Sequence, residues 1–313
     1  VEMINLLELS QNAFKKICWF LDNRTILQMR EISKDSKRTA DFGILNSRNT
    51  RVSSICVECE DDGTHKIKYK FGERIDFSIW KASVHDYIAK QVNAKLDADD
   101  IRQVIRTQFE SESDLIKFFE YLKPLMQRTS IGELQIVHGF RNCTLSQSIV
   151  RMLTNVLEGR TVIKLTLLYE VEDNEWNTLC DFLDKIVGTK MFYCYVKEYN
   201  KESWAGLQKI AETVEDISIE GFWNASVKSI MSFAHAISDG KCSNLALTWE
   251  NSFELAAADI EKMVQGLHQL DCKVSIDFGP SFKNWSEMSD RSIGCYRMRR
   301  ESQRELTLEH QEI

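Results

Sequence analysis

From about residue 100 onward, short apolar segments alternate with amphipathic segments of helical periodicity. Successive apolar segments begin 25 to 31 residues apart, which is typical of repeats that each contain one strand and one helix. Taken as equivalent, the first apolar residues of these segments are Leu134, Leu165, Phe192, Ile217, Leu245 and Val274. A weaker strand is predicted earlier, at Ile101–Ile105.

Strands that are joined through helices are expected to lie parallel, with right-handed crossovers. We therefore predict a leucine-rich-repeat-like α/β solenoid over residues 99–298. The strict leucine-rich consensus with its asparagine is absent, so a more closed α/β arrangement remains an alternative. The last segment, residues 299–313, is highly charged, and we expect a frayed helix or a disordered tail there.

Residues 46–98 contain two stretches in which apolar and polar residues alternate, Val52–Cys59 and His65–Phe71. Asp62 and Gly63 lie between them, and this dipeptide favours a tight turn because glycine tolerates a positive φ. The pattern predicts a β-hairpin, then a short strand at Arg74–Phe77 and a helix over residues 79–92. This part is interpreted as a junction between an N-terminal domain and the repeats.

The first 45 residues form the predicted N-terminal domain, and its pattern indicates three short helices. Ser10 is a suitable N-cap for a helix from Gln11 to Leu21, and Thr25 is suitable for a second one. A segment this short cannot bury all of its apolar residues by itself. Its surplus apolar surface either forms an interface with a partner or packs on the rest of the chain.

The order and spacing of these apolar residues resemble an F-box. The matching residues are Leu6-Leu7-x-Leu9, Ile17, Phe20-Leu21-Asp22, Ile26-Leu27 and Ile32-Ser33-Lys34. Two positions depart from the pattern: Ser10 replaces the usual proline, and Ser36 replaces a bulky residue. The layout of an F-box, a β-rich junction and a divergent helix–strand domain also resembles nematode-expanded F-box families.

The resemblance implies an α+β chain that consists of a three-helix F-box followed by a repeat domain. It implies that the F-box binds the Skp-family linker of a cullin–RING ubiquitin ligase and that the repeats bind a target protein for ubiquitination and degradation. The docking residues that it implies are Leu6, Leu7, Leu9, Ile17, Leu21, Ile26, Leu27 and Ile32. The alternative function is that of a scaffold or neutralising protein that binds its partner without ubiquitin transfer. A third possible function is that of an unrecognised enzyme in the repeat domain.

The predicted recognition surface lies on the strands, on the side opposite the buried residues. Gln135, Thr166 and Leu168 are expected there, and acidic residues recur near the strand ends. The predicted acidic row consists of Glu170, Glu220, Glu250 and Asp277, with Glu198 in a fifth unit; the aromatic anchors beside it are Tyr169, Trp223 and Trp249. This row suits a basic protein segment, although solvated strand ends often carry glutamate.

Composition and motifs narrow the function further. The net charge is -7 and no basic stripe occurs, which argues against nucleic-acid binding. The 9 cysteines follow no framework spacing, and neither a signal-peptide pattern nor a membrane-spanning apolar run is present. We therefore expect a cytoplasmic or nuclear protein. No nucleotide-binding or hydrolase motif occurs, and the 6 histidines are dispersed, so no catalytic residue and no cofactor is predicted.

One cysteine pair has the spacing of a metal or redox site. Cys56 and Cys59 form a C-x-x-C motif. In a strand, residues three apart point to opposite faces and cannot share a metal ion. We therefore predict ordinary thiols at these positions.

Overall fold

The computed structural model describes residues 50–311, except for 61, 91–93, 139–146, 197–200, 223–226, 251–255, 268–269, 271, 279–289, 294 and 301–305. The predicted F-box and all of its docking residues lie outside the described residues. The fold is mixed α/β. The described residues fall into two compact units, of which the first extends to Gly132 and includes Met152–Thr161, while the second contains Glu133–Arg151 and the chain from Val162 onward.

The first unit is an antiparallel sheet with helices on one face. Its elements are β1 (Thr50–Cys59), β2 (His65–Lys70), α1 (Arg74–Ile88), β3 (Ala94–Asp99), β4 (Val104–Phe109) and α2 (Glu112–Met126). The strands lie in the order β1-β2-β4-β3, and each neighbouring pair is antiparallel. Tyr69 packs on Trp80 of α1 and Phe109 on Phe118 of α2, each with ring centroids 4.9 Å apart. These contacts place both helices on the same face of the sheet.

The hairpin predicted between β1 and β2 is confirmed. Cys59 pairs with His65 at its end, and Gly63 has the positive φ of 82° that the turn requires. The Glu60 N–H donates to the Thr64 carbonyl at 2.9 Å, and the Asp62 carboxylate accepts from the Thr64 N–H. Turn chemistry local to the sequence therefore sets the register of the two strands.

Two strands were predicted wrongly in this unit. Arg74–Phe77 is the first turn of α1, because Phe77, Trp80 and Val84 continue one buried helical face. At the predicted strand Ile101–Ile105, the Asp99 carboxylate accepts from the N–H groups of Ile101 and Arg102 and forms a turn, so that Ile101 is 94% exposed. The strand there is β4, and it begins only at Val104.

The helix predicted over residues 79–92 is shifted in the structure. It is α1, which begins at Arg74 and ends at Ile88. Strand β3 was not predicted, because the sequence Ala94–Asp99 has few apolar residues and neither of its faces is fully buried.

The second unit is a mostly parallel sheet with helices between its strands. Its elements are the end of β5 (Thr129–His138), the start of α3 (Gln147–Leu157), β6 (Val162–Glu170), α4 (Trp176–Lys185), β7 (Met191–Val196), α5 (Lys201–Ala211), β8 (Asp216–Phe222), α6 (Val227–Ser238), β9 (Asn244–Glu250), α7 (Ala257–Leu267), β10 (Lys273–Phe278), β11 (Arg291–Ile293), β12 (Tyr296–Arg300) and β13 (Leu306–His310). The strand order is β5-β6-β7-β8-β9-β10-β13-β12-β11. From β6 to β10 each strand pairs in parallel with the next one along the chain.

The register confirms the repeat spacing that the sequence predicts. Leu165, Phe192, Ile217, Leu245 and Val274 were chosen as equivalent positions, and each pairs with the next across the parallel sheet. All five are almost fully buried. Consecutive helices also contact each other, from α4 to α7. One strand and one helix therefore repeat with a constant register through this part of the unit.

The C-terminal segment differs from the expected frayed helix or disordered tail. Strands β12 and β13 pair in antiparallel fashion, and β13 also pairs with β10, where Leu308 lies opposite Ile276. Tyr296, Met298 and Leu308 are completely buried. In β12 and β13, charged and polar residues alternate with these apolar ones. A period of two is the pattern of a strand that is buried on one face.

Candidate binding face of the second unit

The strands β6 to β10 bury one set of side chains and leave the alternating set accessible. We call the accessible set the open face; in β6 it begins at Lys164, and in the other strands at Met191, Asp216, Asn244 and Lys273. Leu168 and Met191 of the open face are both 42% exposed, whereas their neighbours Leu167 and Phe192 are almost fully buried. The helices α4 to α7 bury their own apolar residues, so they cover the opposite side of these strands.

The parallel register arranges the open face in rows that run across the strands. The first row contains Lys164, Met191, Asp216, Asn244 and Lys273; the second contains Thr166, Tyr193, Ser218, Ala246 and Ser275; the third contains Glu170, Tyr195, Glu220, Thr248 and Asp277. A register shift between Leu167 and Glu170 brings Glu170 opposite Tyr195. Polar, acidic and aromatic positions therefore alternate along the third row.

The predicted acidic row is assembled only in part. Glu170, Glu220 and Asp277 share the third row, but Tyr195 and Thr248 lie between them. Glu250 pairs with Phe222, two positions beyond Thr248, and is outside this row. Glu198 lies outside the described residues. Acidic residues thus recur at these register positions without forming a continuous row.

Two tyrosines that are not among the predicted anchors supply aromatic surface on the open face. Tyr193 and Tyr195 are both partly exposed, and Tyr193 is hydrogen-bonded to the Glu220 carboxylate. Burial and this hydrogen bond to a negative group raise the pKa of Tyr193 well above its usual range. A tyrosine held in this way presents a large and ordered contact area that retains a polar group, which suits a protein interface.

Of the three aromatic anchors that the sequence predicts, Tyr169 is buried in the structure. Tyr169 is only 7% exposed, because it alternates in phase with the buried Leu165 and Leu167. Trp249 pairs with Gly221 and Phe278, so its register position is one residue beyond the third row. Trp223 lies outside the described residues. The period-two alternation in Phe192–Val196 was the signal that could have identified Tyr193 and Tyr195 instead.

At the β5 side of the open face, polar groups form a local network around Glu133. Its carboxylate lies 2.9 Å from Lys164 Nζ and accepts a hydrogen bond of 2.9 Å from the Thr166 hydroxyl. Partial burial alone raises the pKa of Glu133, but hydrogen bonds from Lys164, Gln135 and Thr166 outweigh that effect and lower it. Thr166 was predicted to be exposed and is instead buried in this network.

The cysteines of the C-x-x-C motif lie on opposite faces of β1, as strand alternation predicts. Cys59 is buried against the helices, and Cys56 is on the accessible side. Burial, together with the nearby Glu112 and Glu58, raises the pKa of Cys59 to about 12, so its thiol is a poor nucleophile at neutral pH. Within the described ranges no cluster of three metal-binding side chains occurs, and no helix there has the length and apolarity to cross a bilayer.

Comparison with known proteins adds no family to this description. No protein-family model matches the chain, and no curated protein matches it. What can be inferred about function therefore depends on the sequence motif at residues 4–40 and on the geometry of the described units.

Proposed function

We propose that the chain is the substrate-recognition subunit of an SCF-type ubiquitin ligase, and that the open face binds the target protein. The target-binding part is carried by one observation: Tyr193, Tyr195 and Glu220 lie partly exposed on one face of the sheet, beside the exposed Leu168 and Met191. The first half depends on the resemblance of residues 4–40 to an F-box. We also propose that the strand–helix units form a leucine-rich-repeat-like solenoid, which their sequential parallel order supports.

In this function the chain contributes binding and proximity, while another subunit performs the chemistry. An F-box held by a Skp-family linker brings whatever the open face binds close to the ubiquitin-transferring enzyme. Holding two reactants together replaces a bimolecular encounter by an effectively intramolecular one, which raises the rate without any catalytic group in this chain. We accordingly assign no catalytic residue.

The chemistry of the open face indicates the kind of target. Tyr193 and Tyr195 provide anchoring area, and Glu220 and Asp277 provide negative charge in the same part of the face. Charges around an interface mainly increase the association rate and select the partner, whereas buried aromatic residues supply most of the affinity. We therefore propose a target that presents a basic segment beside an apolar or aromatic side chain.

The alternative function uses the same surface without ubiquitin transfer. The open face does not require the ligase in order to bind a protein, and a scaffold or neutralising protein could act by binding alone. The two functions differ in what happens to the bound protein when cullin activity is blocked. In a scaffold its abundance is unchanged, whereas for a ligase subunit its degradation stops.

The test uses a Tyr193→Asp, Tyr195→Asp variant and a Val187→Asp control. Val187 is 55% exposed and lies outside the open face, so the control adds negative charge at another exposed apolar position of the same unit. Proteins bound in cells are compared among the three forms, and the lifetime of each specific partner is measured with and without cullin inhibition. The proposal expects partners that the tyrosine variant loses and the control retains, and that persist longer when cullins are inhibited. Identical partners for the wild-type chain and the tyrosine variant would contradict the assigned surface.

A further inference from the structure

The first unit has a groove on the side of its sheet that faces away from α1 and α2. The groove encloses about 580 Å³ and is lined by residues from all four strands. Its charged lining consists of Glu58, Lys66, Lys68, Lys95, Asp97 and Arg106. Val57, Ile67 and Tyr69 alternate with the charged residues of β1 and β2 and are buried on the helix side. Because neighbouring strand residues point to opposite faces, the charged side chains point away from the helices.

The antiparallel register arranges this lining in two rows across the sheet. One row contains Cys56, Lys68, Arg106 and Asp97, and the other contains Glu58, Lys66, Gln108 and Lys95. Lysines thus occur in both rows, on the central strand β2 and on the edge strand β3. The positive charge therefore extends across the groove and is not confined to one end.

Two of the four cations have no partner among the described residues. Lys66 pairs with Glu60 at 2.5 Å and Arg106 with Asp97 at 2.9 Å. The side chains of Lys68 and Lys95 make neither an ion pair nor a hydrogen bond within the described ranges. The chain carries a net charge of -7, so a groove with an excess of cations is a local exception. Its charge complements an acidic ligand.

We propose that this groove binds an extended acidic segment of a partner protein, with Lys68 and Lys95 as the principal contacts. Four strands about 4.8 Å apart span about 14 Å, a distance that an extended peptide covers in about five residues. This binding activity is separate from the open face and does not depend on the chain being part of a ligase.

A protein segment fits the groove better than a nucleic acid does. Glu58 and Asp97 lie within the lining, and they would repel a backbone that carries a negative charge on every nucleotide. The lining also contains no aromatic side chain on which bases could stack. A peptide in which acidic residues alternate with neutral ones can contact the lysines and avoid both carboxylates.

The experiment measures fluorescence anisotropy of a labelled peptide of alternating glutamate and serine, about ten residues long so that it extends beyond both ends of the groove. The purified chain is compared with a Lys68→Glu, Lys95→Glu variant and with a Lys228→Glu, Lys241→Glu control. The control makes the same change in net charge at exposed lysines of the second unit. A Lys68→Gln, Lys95→Gln variant is included in case reversed charges prevent folding, and circular dichroism checks the fold of each form.

We expect saturable binding that weakens as salt concentration rises, because the contacts are exposed charges. Reversing two contacts that each contribute about 1 kcal/mol should weaken binding at least tenfold, and neutralising them should weaken it less. The control should bind as the wild-type chain does. Absence of binding by the wild-type chain, or an equal loss in the control, would overturn the proposal. Tighter binding of a single-stranded oligonucleotide with the same dependence on Lys68 and Lys95 would assign the groove to nucleic acid instead.

Discussion

Gly206 lies where α5 packs against α4, and replacing it with alanine tests how closely these two helices approach. A Cβ atom at this position would lie 2.6 Å from Trp176 Cε3, 2.8 Å from Cδ2 and 2.9 Å from Trp176 Cβ. Carbon atoms in contact are normally about 3.5–4.0 Å apart. Trp176 is only 2% exposed, so its ring has little room to move away.

Two effects of opposite sign decide the outcome of Gly206→Ala. Alanine is favoured over glycine inside a helix by about 1 kcal/mol. Inserting a methyl group into a packed interior costs about 1–3 kcal/mol. Two of the short distances are to the buried ring and the third is to Trp176 Cβ, and together they place this substitution in the upper half of that range. We therefore expect the free energy of unfolding to fall by about 1–2 kcal/mol, the cost of overpacking less the gain in helix propensity.

The assay is urea unfolding followed by circular dichroism, with two further variants. Ala205→Gly changes the exposed neighbouring position on the same helix and calibrates the propensity effect alone. Gly206→Ala in a Trp176→Leu background removes the two contacts with the ring and keeps only the contact with the Cβ atom at position 176, so the cost of alanine should be smaller there than in the wild-type chain. If Gly206→Ala stabilises the wild-type chain as much as Ala205→Gly destabilises it, the helices are not packed as described.

Three further predictions concern the second unit. Ile219 is fully buried at the centre of the parallel strands, and replacing it with alanine should lower the free energy of unfolding by about 2–5 kcal/mol. The same urea denaturation assay checks this, and an unchanged unfolding midpoint would contradict the register. Glu220→Gln removes the negative charge beside Tyr193 and should lower the pKa of that tyrosine, as measured by NMR titration of labelled tyrosine; an unchanged pKa would mean that the two side chains do not interact. The pKa of Glu133 is lowered in the folded state, so its ionised form stabilises the fold above the ordinary value of 4.5, and this contribution is lost as pH falls through the folded-state pKa. The difference in unfolding free energy between the wild-type chain and Glu133→Gln should therefore shrink below pH 4.5. A difference that does not depend on pH would count against the network with Lys164.

The repeat register was predictable from sequence because the same physical requirement recurs in every unit. One apolar residue per strand must enter the core beside its equivalent in the next strand, and Leu165, Phe192 and Ile217 satisfy this at regular spacing. The turn at Gly63 was predictable for a different reason, since few residues other than glycine adopt its backbone conformation. The register was therefore predictable from periodicity, and the turn from the chemistry of a single residue.

Features that depend on contacts distant in sequence were missed. Strand β13 has only 5 residues, too few for its alternation to distinguish a strand from a tail until β10 is known to need a neighbour. Thr166 has the phase of an exposed residue, but Glu133, on another strand, draws it into a hydrogen-bond network. Tyr169 is a different case, because its phase with the buried Leu165 and Leu167 is visible in the sequence. The structure therefore buries Tyr169, which the sequence places beside the acidic row.

The central claim is that the N-terminal segment docks on a ligase, and complex formation with a Skp-family linker tests it most directly. The full chain is co-expressed with the linker and analysed by size-exclusion chromatography, beside a Leu7→Asp, Ile17→Asp variant. An Asn12→Asp, Asn23→Asp control adds the same charge at polar positions of the same segment. We predict a stable one-to-one complex for the wild-type chain and the control, and its loss in the leucine–isoleucine variant. A wild-type chain that elutes alone and folded would contradict the ligase function and leave the second unit as an independent binding module.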